Sequence, residues 1–346
     1  MERVLLGMSG GVDSSVAAIL LQEQGYEVIG CTMKLWNPCQ ERDNTSIQDA
    51  KKICEKLGIK HYILDYKDEF KCKVVDNFVS EYKAGRTPNP CIECNKYFKF
   101  GLLYDEAKKM ECKYIATGHY AKVAYSEKYK QYVLKKSDIE EKDQTYFLYG
   151  ISREVIEHIL LPLQNLDSKK KTIKIAEEHG IEIAHKKDSQ EICFIPNDDY
   201  KTFLTDYIKL KSGNIVLKNG EILGKHRGFI NYTIGQRKGL GIAYKEPLYV
   251  INLNKDKNEV IVGTEKDLYI DYLYANNLNW HVFNEIKNEF ECMVKIRYRA
   301  NPARAKIIPM NDKIKIEFEN PQRAITPGQS VVLYDDDILI GGGKIL

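Results

Sequence analysis

Short apolar runs alternate with helix-length amphipathic stretches through the first part of the chain. Val4-Leu5-Leu6-Gly7-Met8 is a continuous apolar run of strand length, and it leads through glycines into Val16-Ala17-Ala18-Ile19-Leu20-Leu21, which reads as a helix. Gly25 closes that helix, and the chain returns to a strand pattern over 26–33. A second helix is expected from Ile47 to Leu57, stopped by Gly58 ahead of the strand His61-Tyr62-Ile63-Leu64. A helical stretch from Phe98 to Met110 then precedes the buried-strand run Tyr114-Ile115-Ala116-Thr117. Strands that are apolar on both faces, each followed by a helix, predict a doubly wound parallel α/β sheet of Rossmann-like type. Its ligand belongs beyond the carboxyl ends of the strands.

The pattern changes after Lys209. Turn signals at Lys218-Asn219-Gly220, Leu253-Asn254-Lys255-Asp256 and Thr326-Pro327-Gly328 separate short strand-like runs such as Val260-Ile261-Val262, Cys292–Tyr298 and Lys313–Phe318. These predict β modules. The expected organisation is a catalytic α/β domain over 1–209, a small central mainly-β domain over 210–272 that contacts the substrate, and a C-terminal β-barrel-like domain over 273–346. No internal repeat or low-complexity segment interrupts it.

Composition narrows the setting. A chain of 346 residues with 43% hydrophobic and 10% aromatic residues is globular and long enough for two or three domains. Lys+Arg 52 against Asp+Glu 49 leaves only +3, which neither demands nor forbids an anionic partner, because local patches matter more than the sum. The 9 cysteines are odd in number and scattered, unlike a secreted disulfide framework. No apolar stretch approaches the roughly 20 residues of a membrane span, and no leader pattern opens the chain. A soluble cytoplasmic protein without a membrane partner is expected.

The strongest local motif is Gly7-Met8-Ser9-Gly10-Gly11-Val12-Asp13-Ser14-Ser15, between a strand and a helix. Glycines let backbone N–H groups approach a phosphate, and the helix N-terminus adds partial positive charge. Ser14 and Ser15 offer hydroxyl donors. The Walker pattern is absent. The segment instead resembles the Ser-Gly-Gly-x-Asp-Ser loop of the PP-loop ATP pyrophosphatases, which implies ATP bound through Gly7 to Ser14 and Asp13 near the Mg2+-phosphate end. Met33 at a strand end and Gly118 after a strand are further candidates for the nucleotide site.

The second informative segment is Arg86-Thr87-Pro88-Asn89-Pro90-Cys91-Ile92-Glu93-Cys94-Asn95-Lys96. Its prolines fix a non-helical approach. Asn95 capping a helix from about Lys96 would put Cys94 at a helix N-terminus, where Lys96 and Arg86 could lower its pKa further. Cys193 follows much later in Asp188-Ser189-Gln190-Glu191-Ile192-Cys193-Phe194. The other six, Cys31, Cys39, Cys54, Cys72, Cys112 and Cys292, are expected mostly as small buried hydrophobes, Cys39 being the one in a polar loop.

Taken with Ala116-Thr117-Gly118-His119-Tyr120, Asp143-Gln144-Thr145-Tyr146-Phe147-Leu148 and Thr233-Ile234-Gly235-Gln236-Arg237-Lys238-Gly239-Leu240-Gly241, these segments closely resemble the tRNA-specific 2-thiouridylases, from the first residue to the C-terminus. The resemblance implies ATP-dependent replacement of the C2 oxygen of the tRNA wobble uridine by sulfur. Cys193 would receive sulfur as a persulfide from a donor protein, a cysteine desulfurase or sulfur relay. The uracil oxygen would attack the α-phosphate, and Cys94 would attack the base or release sulfur through a disulfide with Cys193. On the same basis Asn89, Pro90 and Cys91 contact the target base, Lys142, Asp143, Gln144, Arg297 and Tyr298 contact tRNA, and His119 and Gln329 lie near the substrate.

One position departs from the family. Where Asp is usual, three before the first catalytic cysteine, this chain has Cys91. Cys91-x-x-Cys94 with a distant Cys193 resembles the PP-loop tRNA thiolases that hold a [4Fe–4S] cluster on three thiolates, a distinct sulfur route. Zinc is a weaker option, and a plain substituted neighbour in a persulfide enzyme is the third.

Nucleic-acid recognition has its own local signal in Arg297-Tyr298-Arg299-Ala300-Asn301-Pro302-Ala303-Arg304-Ala305-Lys306. On a strand, Arg297 and Arg299 would share a face suited to phosphates, with Tyr298 free to stack. Lys169-Lys170-Lys171 and Lys186-Lys187 read as solvated faces. The target base must leave its stack to react, so a pocket at the sheet edge is expected. Rival readings are an amidating PP-loop ligase, which gives Cys94 and Cys193 no work, and a non-catalytic RNA-binding or Fe–S protein, which does not need an intact nucleotide loop.

Overall fold

The computed structural model describes residues 1–38, 40–181 and 192–346. Five parallel strands form the N-terminal sheet in the order Lys60–Asp65, Glu27–Lys34, Arg3–Gly7, Tyr114–Ala116, Ile159–Leu160. The first strand explains its own apolar run. Val4 and Leu6 face the helix Val12–Glu23, among Val16, Ala17 and Ile19, whereas Leu5 faces Leu103, Ala107 and Ile115 on the opposite side. All three are fully buried, each worth about 1.5–3 kcal/mol against exposure.

Strand order reverses at Arg3–Gly7, which lies between Glu27–Lys34 and Tyr114–Ala116. The loops leaving the carboxyl ends of these central strands begin with Met8 and Thr117, so the topological switch point gathers both glycine-bearing motifs there. A second core, built from Phe70, Phe78, Phe98, Phe194 and Phe203, lies under the segment that carries Cys94.

A four-stranded central sheet follows, ordered Tyr249–Asn254, Glu259–Gly263, Gly213–Leu217, Ile222–His226, around Ile215, Val250, Val260 and Val262. The C-terminal strands close a barrel. They run Tyr269–Trp280, Lys313–Arg323, Ala303–Met310, Phe290–Lys295, Ser330–Asp335 and Ile338–Ile345, and the last pairs with the first. One feature was not signalled by the chain's pattern: the hairpin Lys122–Ser126/Gln131–Lys135, from the N-terminal half, extends the barrel sheet through Lys135 and Ile338. Among the described residues no helix is long and apolar enough to cross a membrane.

Candidate active site

The loop from Gly7 to Ser15 is braced by its own hydroxyls. Gly11 is the N-cap of Val12–Glu23 and, among the described residues, no capping side chain satisfies the first amides of that helix, leaving donors and the positive end of the helix dipole for an anion. Ser14 and Ser15, expected as phosphate donors, each donate to Gly11 O, at 3.0 and 2.9 Å, and Ser9 N donates to Ser14 Oγ at 3.3 Å. Thr32 Oγ1 donates to Met8 O at 2.9 Å, tying the loop to the neighbouring strand, near whose end Met33 packs half-buried. Gly118 has to be glycine, because a Cβ there would lie 2.8 Å from Asp13 C and 2.9 Å from Ser14 N.

Asp13 is the hub of a polar network. Its Oδ1 accepts the Tyr120 hydroxyl at 2.8 Å and the Lys169 ammonium at 2.6 Å, and Tyr120 also meets Thr172 Oγ1 at 2.9 Å. Lys169 opens the helix Lys169–Glu178, capped by the Ser168 side chain. Sequence reasoning took Lys169-Lys170-Lys171 for a solvated face. Lys169 instead turns inward against Asp13, with its side chain 20% exposed. The oxygen donors here, the Asp13 carboxylate and the serine hydroxyls, suit Mg2+ beside phosphates.

The cysteine segment corrects the expected helix start. Asn89, not Asn95, is the N-cap: its Oδ1 accepts from Cys91 N at 3.2 Å, and Pro90 takes the first position of the helix Pro90–Cys94. The turns continue through Asn95–Leu102 as a wider, i→i+5 bonded stretch into Leu103–Lys109. Cys91 is therefore in the first turn and exposed, and Cys94 is one turn on and buried among Phe70, Phe98 and Phe194. Burial pushes the Cys94 thiol up to about 11, against the opposing charge of Lys99. The lowered pKa expected from Lys96 and Arg86 is not found. Arg86 is engaged by Glu81, at 2.7 Å from both Nε and Nη2, and Lys96 lies over the Tyr97 ring.

Lys99 is a site residue that sequence reasoning missed. It is half-buried, and among the described residues no hydrogen bond or ion pair engages it. Its charge opposes the burial-driven rise of the Cys94 thiol and adds to the burial-driven lowering of His119. His119 is itself buried, bonded through Nδ1 to Thr117 Oγ1 at 2.8 Å and packed on the Phe100 ring. The i,i+5 spacing from Cys94 to Lys99 across the widened turns was the available signal.

Cys193 is exposed, but Phe194 anchors it on the cluster that buries Cys94, with ring centroids 5.8 Å from Phe70 and 5.6 Å from Phe78. Asp188, Ser189, Gln190 and Glu191, together with Lys186, Lys187 and Cys39, lie outside the described residues. Of the other cysteines, Cys31, Cys54, Cys112 and Cys292 are buried as expected, but Cys72 is exposed. Among the described residues no three His, Cys, Asp or Glu side chains converge to hold a metal ion. Cys91, Cys94 and Cys193 are thus not assembled for a cluster, and this geometry does not fit one.

Residues assigned to tRNA by resemblance fall in two groups. Asn89 caps the cysteine helix, Pro90 and Cys91 open it, and His119 packs on Phe100 in the turns that continue it. Lys142 ends the short turn Glu140–Lys142. Asp143 is buried, accepting Ser137 N at 3.0 Å and Thr145 Oγ1 at 2.7 Å, and burial raises its pKa. Gln144 Oε1 accepts Tyr120 N at 2.9 Å, next to Asp13's network. Arg297 and Tyr298 lie past the end of the strand Phe290–Lys295 rather than on it, so they and Arg299 share no strand face. Arg297 is turned inward, donating to Ala324 O at 2.7 Å, to Ile234 O at 3.2 Å and to Thr326 Oγ1. Tyr298 packs at a tilt against Phe147, with ring centroids 4.5 Å apart. Gln329 donates to Thr87 O at 2.8 Å.

Comparison with known proteins covers the whole chain. Residues 2–197 match the tRNA methyl transferase HUP domain, residues 201–264 the tRNA methyl transferase PRC-barrel domain and residues 270–345 the aminomethyltransferase beta-barrel domain. The tRNA-specific 2-thiouridylase MnmA of Clostridium beijerinckii is 47% identical over 355 residues, covering 99% of this chain and 98% of that protein. The same-named protein of Acetivibrio thermocellus is 46% identical over 356 residues, covering 99% of each. Among solved structures, the U34-tRNA thiolase NcsA from Methanococcus maripaludis with its [4Fe-4S] cluster is 20% identical, with a TM-score of 0.37, over 60% of this chain and 65% of that one.

Proposed function

The chain belongs to the tRNA-specific 2-thiouridylase family, and on that premise we propose that it uses ATP to replace the C2 oxygen of the tRNA wobble uridine by sulfur in the cytoplasm. One observation carries the reading: the segment Thr117–Tyr120 touches both halves of such a site. Gly118 is pressed against Asp13 and Ser14 of the nucleotide loop, and His119 packs on Phe100 of the helical run that begins at the cysteines. The segment therefore lies between the place where adenylation would occur and the helical run that carries the cysteines.

ATP would bind at the Gly7–Ser14 loop, its phosphates on the free amides of the helix start. Mg2+, when bound near Asp13, would neutralise phosphate charge. The uracil oxygen attacks the α-phosphate and pyrophosphate leaves, which turns a poor leaving group at C2 into AMP. Sulfur would arrive from a cysteine desulfurase or relay protein as a persulfide on exposed Cys193. Cys94, enclosed one helical turn behind Cys91, would take the second thiol role. The persulfide route is favoured over a cluster because the three thiols do not converge.

The test is direct. Purified protein with ATP, unmodified tRNA and a sulfur-loaded donor should release pyrophosphate and form 2-thiouridine, read by nucleoside mass. Neither product with sulfur supplied would sink the proposal.

A further inference from the structure

Glu81 belongs to no motif, yet among the described residues it is the most enclosed carboxylate beside the cysteine loop. It lies on the helix Asp76–Lys83 with its side chain 6% exposed. Arg86 grips both of its oxygens at 2.7 Å, and Lys344 reaches Oε2 at 2.7 Å. These cations come from different places: Arg86 begins the approach to Asn89, and Lys344 is on Ile338–Ile345, the strand that closes the C-terminal barrel. Burial would raise the Glu81 carboxyl, but the hydrogen bonds from Arg86 and Lys344 outweigh it and hold it below the usual range.

The same stretch is fastened to the barrel again one residue on. Thr87 N donates to Pro327 O at 2.9 Å, and Gln329 Nε2 donates to Thr87 O at 2.8 Å. Gly328, between Pro327 and Gln329, has φ +88°, and a Cβ there would meet Arg86 Cβ at 2.8 Å and Thr87 N at 2.9 Å. The backbones are thus in contact where no side chain fits. Thr87 N is tied before Pro88 and Pro90 stiffen the path to the Asn89 cap, so displacement at Arg86 is passed on with little slack.

We propose that Glu81 is a positioning residue for the two cysteines: by joining Arg86 to Lys344 it locks the Arg86–Asn89 approach to the C-terminal barrel, so that the seating of the barrel sets how the capped helix presents Cys91 and Cys94. A buried carboxylate between two cations adds little net stability over well-packed apolar residues, but it admits one geometry. The role in catalysis rests on the thiolation reading; the geometric lock does not.

The experiment uses the full chain with Lys344→Met, Lys344→Arg and Glu81→Gln, comparing Cys94 alkylation by iodoacetamide, kcat for tRNA thiolation, and KM for ATP. Lys344→Met should speed Cys94 alkylation about tenfold through local opening and lower kcat about tenfold or more through misplacement. KM for ATP should stay within about twofold, because the nucleotide loop is on a separate tie. Lys344→Arg should restore both readouts, and Glu81→Gln, if folded by its melting curve, should match Lys344→Met. Unchanged alkylation in Lys344→Met overturns the lock. Faster alkylation with unchanged kcat overturns the positioning role. A wild-type protein that does not thiolate tRNA overturns the functional reading instead, and alkylation still judges the lock.

Discussion

Lys169 Nζ lies 2.6 Å from Asp13 Oδ1, so the nucleotide loop carries its own counter-cation. The pair is partly buried, with side chains 20% and 29% exposed, and Tyr120 holds the shared oxygen from a third side. A cation so placed can pass from the carboxylate to an entering phosphate without crossing open solvent. Lys169→Met should therefore raise KM for ATP by about tenfold to a hundredfold and slow pyrophosphate release, while Lys170→Met changes neither. Steady-state pyrophosphate kinetics against ATP concentration would show it. Equal effects at 169 and 170 would mean that charge density, not placement, is what matters.

Cys94 is protonated at neutral pH because burial raises its pKa to about 11. The sign is simple for a thiol: raising the pKa removes thiolate below it, so reactivity climbs as pH rises toward that value. Exposed Cys193, Cys91 and Cys72 should alkylate before Cys94 at pH 8, and Cys94 labelling should grow roughly tenfold per pH unit toward about 11. Peptide mass mapping after brief iodoacetamide exposure at several pH values measures this. A Cys94 midpoint below pH 8 would contradict the buried environment.

Cys91 tests the sulfur route. It is exposed, in the first helical turn, and its backbone N–H is already used by Asn89. Asp is well accommodated in a first turn, where the helix dipole favours a carboxylate by roughly 0.3–1 kcal/mol. Cys91→Asp should keep thiolation within about threefold and bind no iron when purified without oxygen. Loss of activity together with loss of bound iron and sulfide in the variant, against a wild type that holds both, would restore the cluster route.

Much of this was legible in the chain. The apolar run at Val4-Leu5-Leu6 announced a strand buried on both faces, and the glycine-serine loop announced its ligand end. Asn89-Pro90 was a cap followed by proline at the first position, a helix start written plainly but read instead at Asn95. Lys169 was lost for a different reason: in a run of three lysines, only tertiary packing decides which one faces the loop. Arg297 looked like a phosphate ligand because its acceptors, Ala324 O and Ile234 O, are far off in the chain. The Lys135–Ile338 pairing is equally remote, so local pattern carries no trace of it.

His281 supplies an acid limit to stability. It is fully buried where the barrel meets the N-terminal half, with its backbone N–H on Ile340 O at 2.8 Å and Nε2 facing Ile151 O at 3.1 Å. Burial lowers its pKa from 6.5 to about 4, despite backbone carbonyls that favour the charged form. Above pH 6.5 the folded and unfolded imidazoles are both neutral and contribute no pH dependence. As pH falls through 6.5, the unfolded chain takes a proton that the folded chain refuses until about pH 4, so stability is lost across that window. The shift corresponds to on the order of 3 kcal/mol, and buried His119, also lowered, acts in the same direction. Melting temperature should therefore drop between pH 6.5 and 4.5, and His281→Gln should flatten that slope even if its melting temperature at pH 7.5 is lower. Parallel slopes in the two proteins would place the acid sensitivity elsewhere.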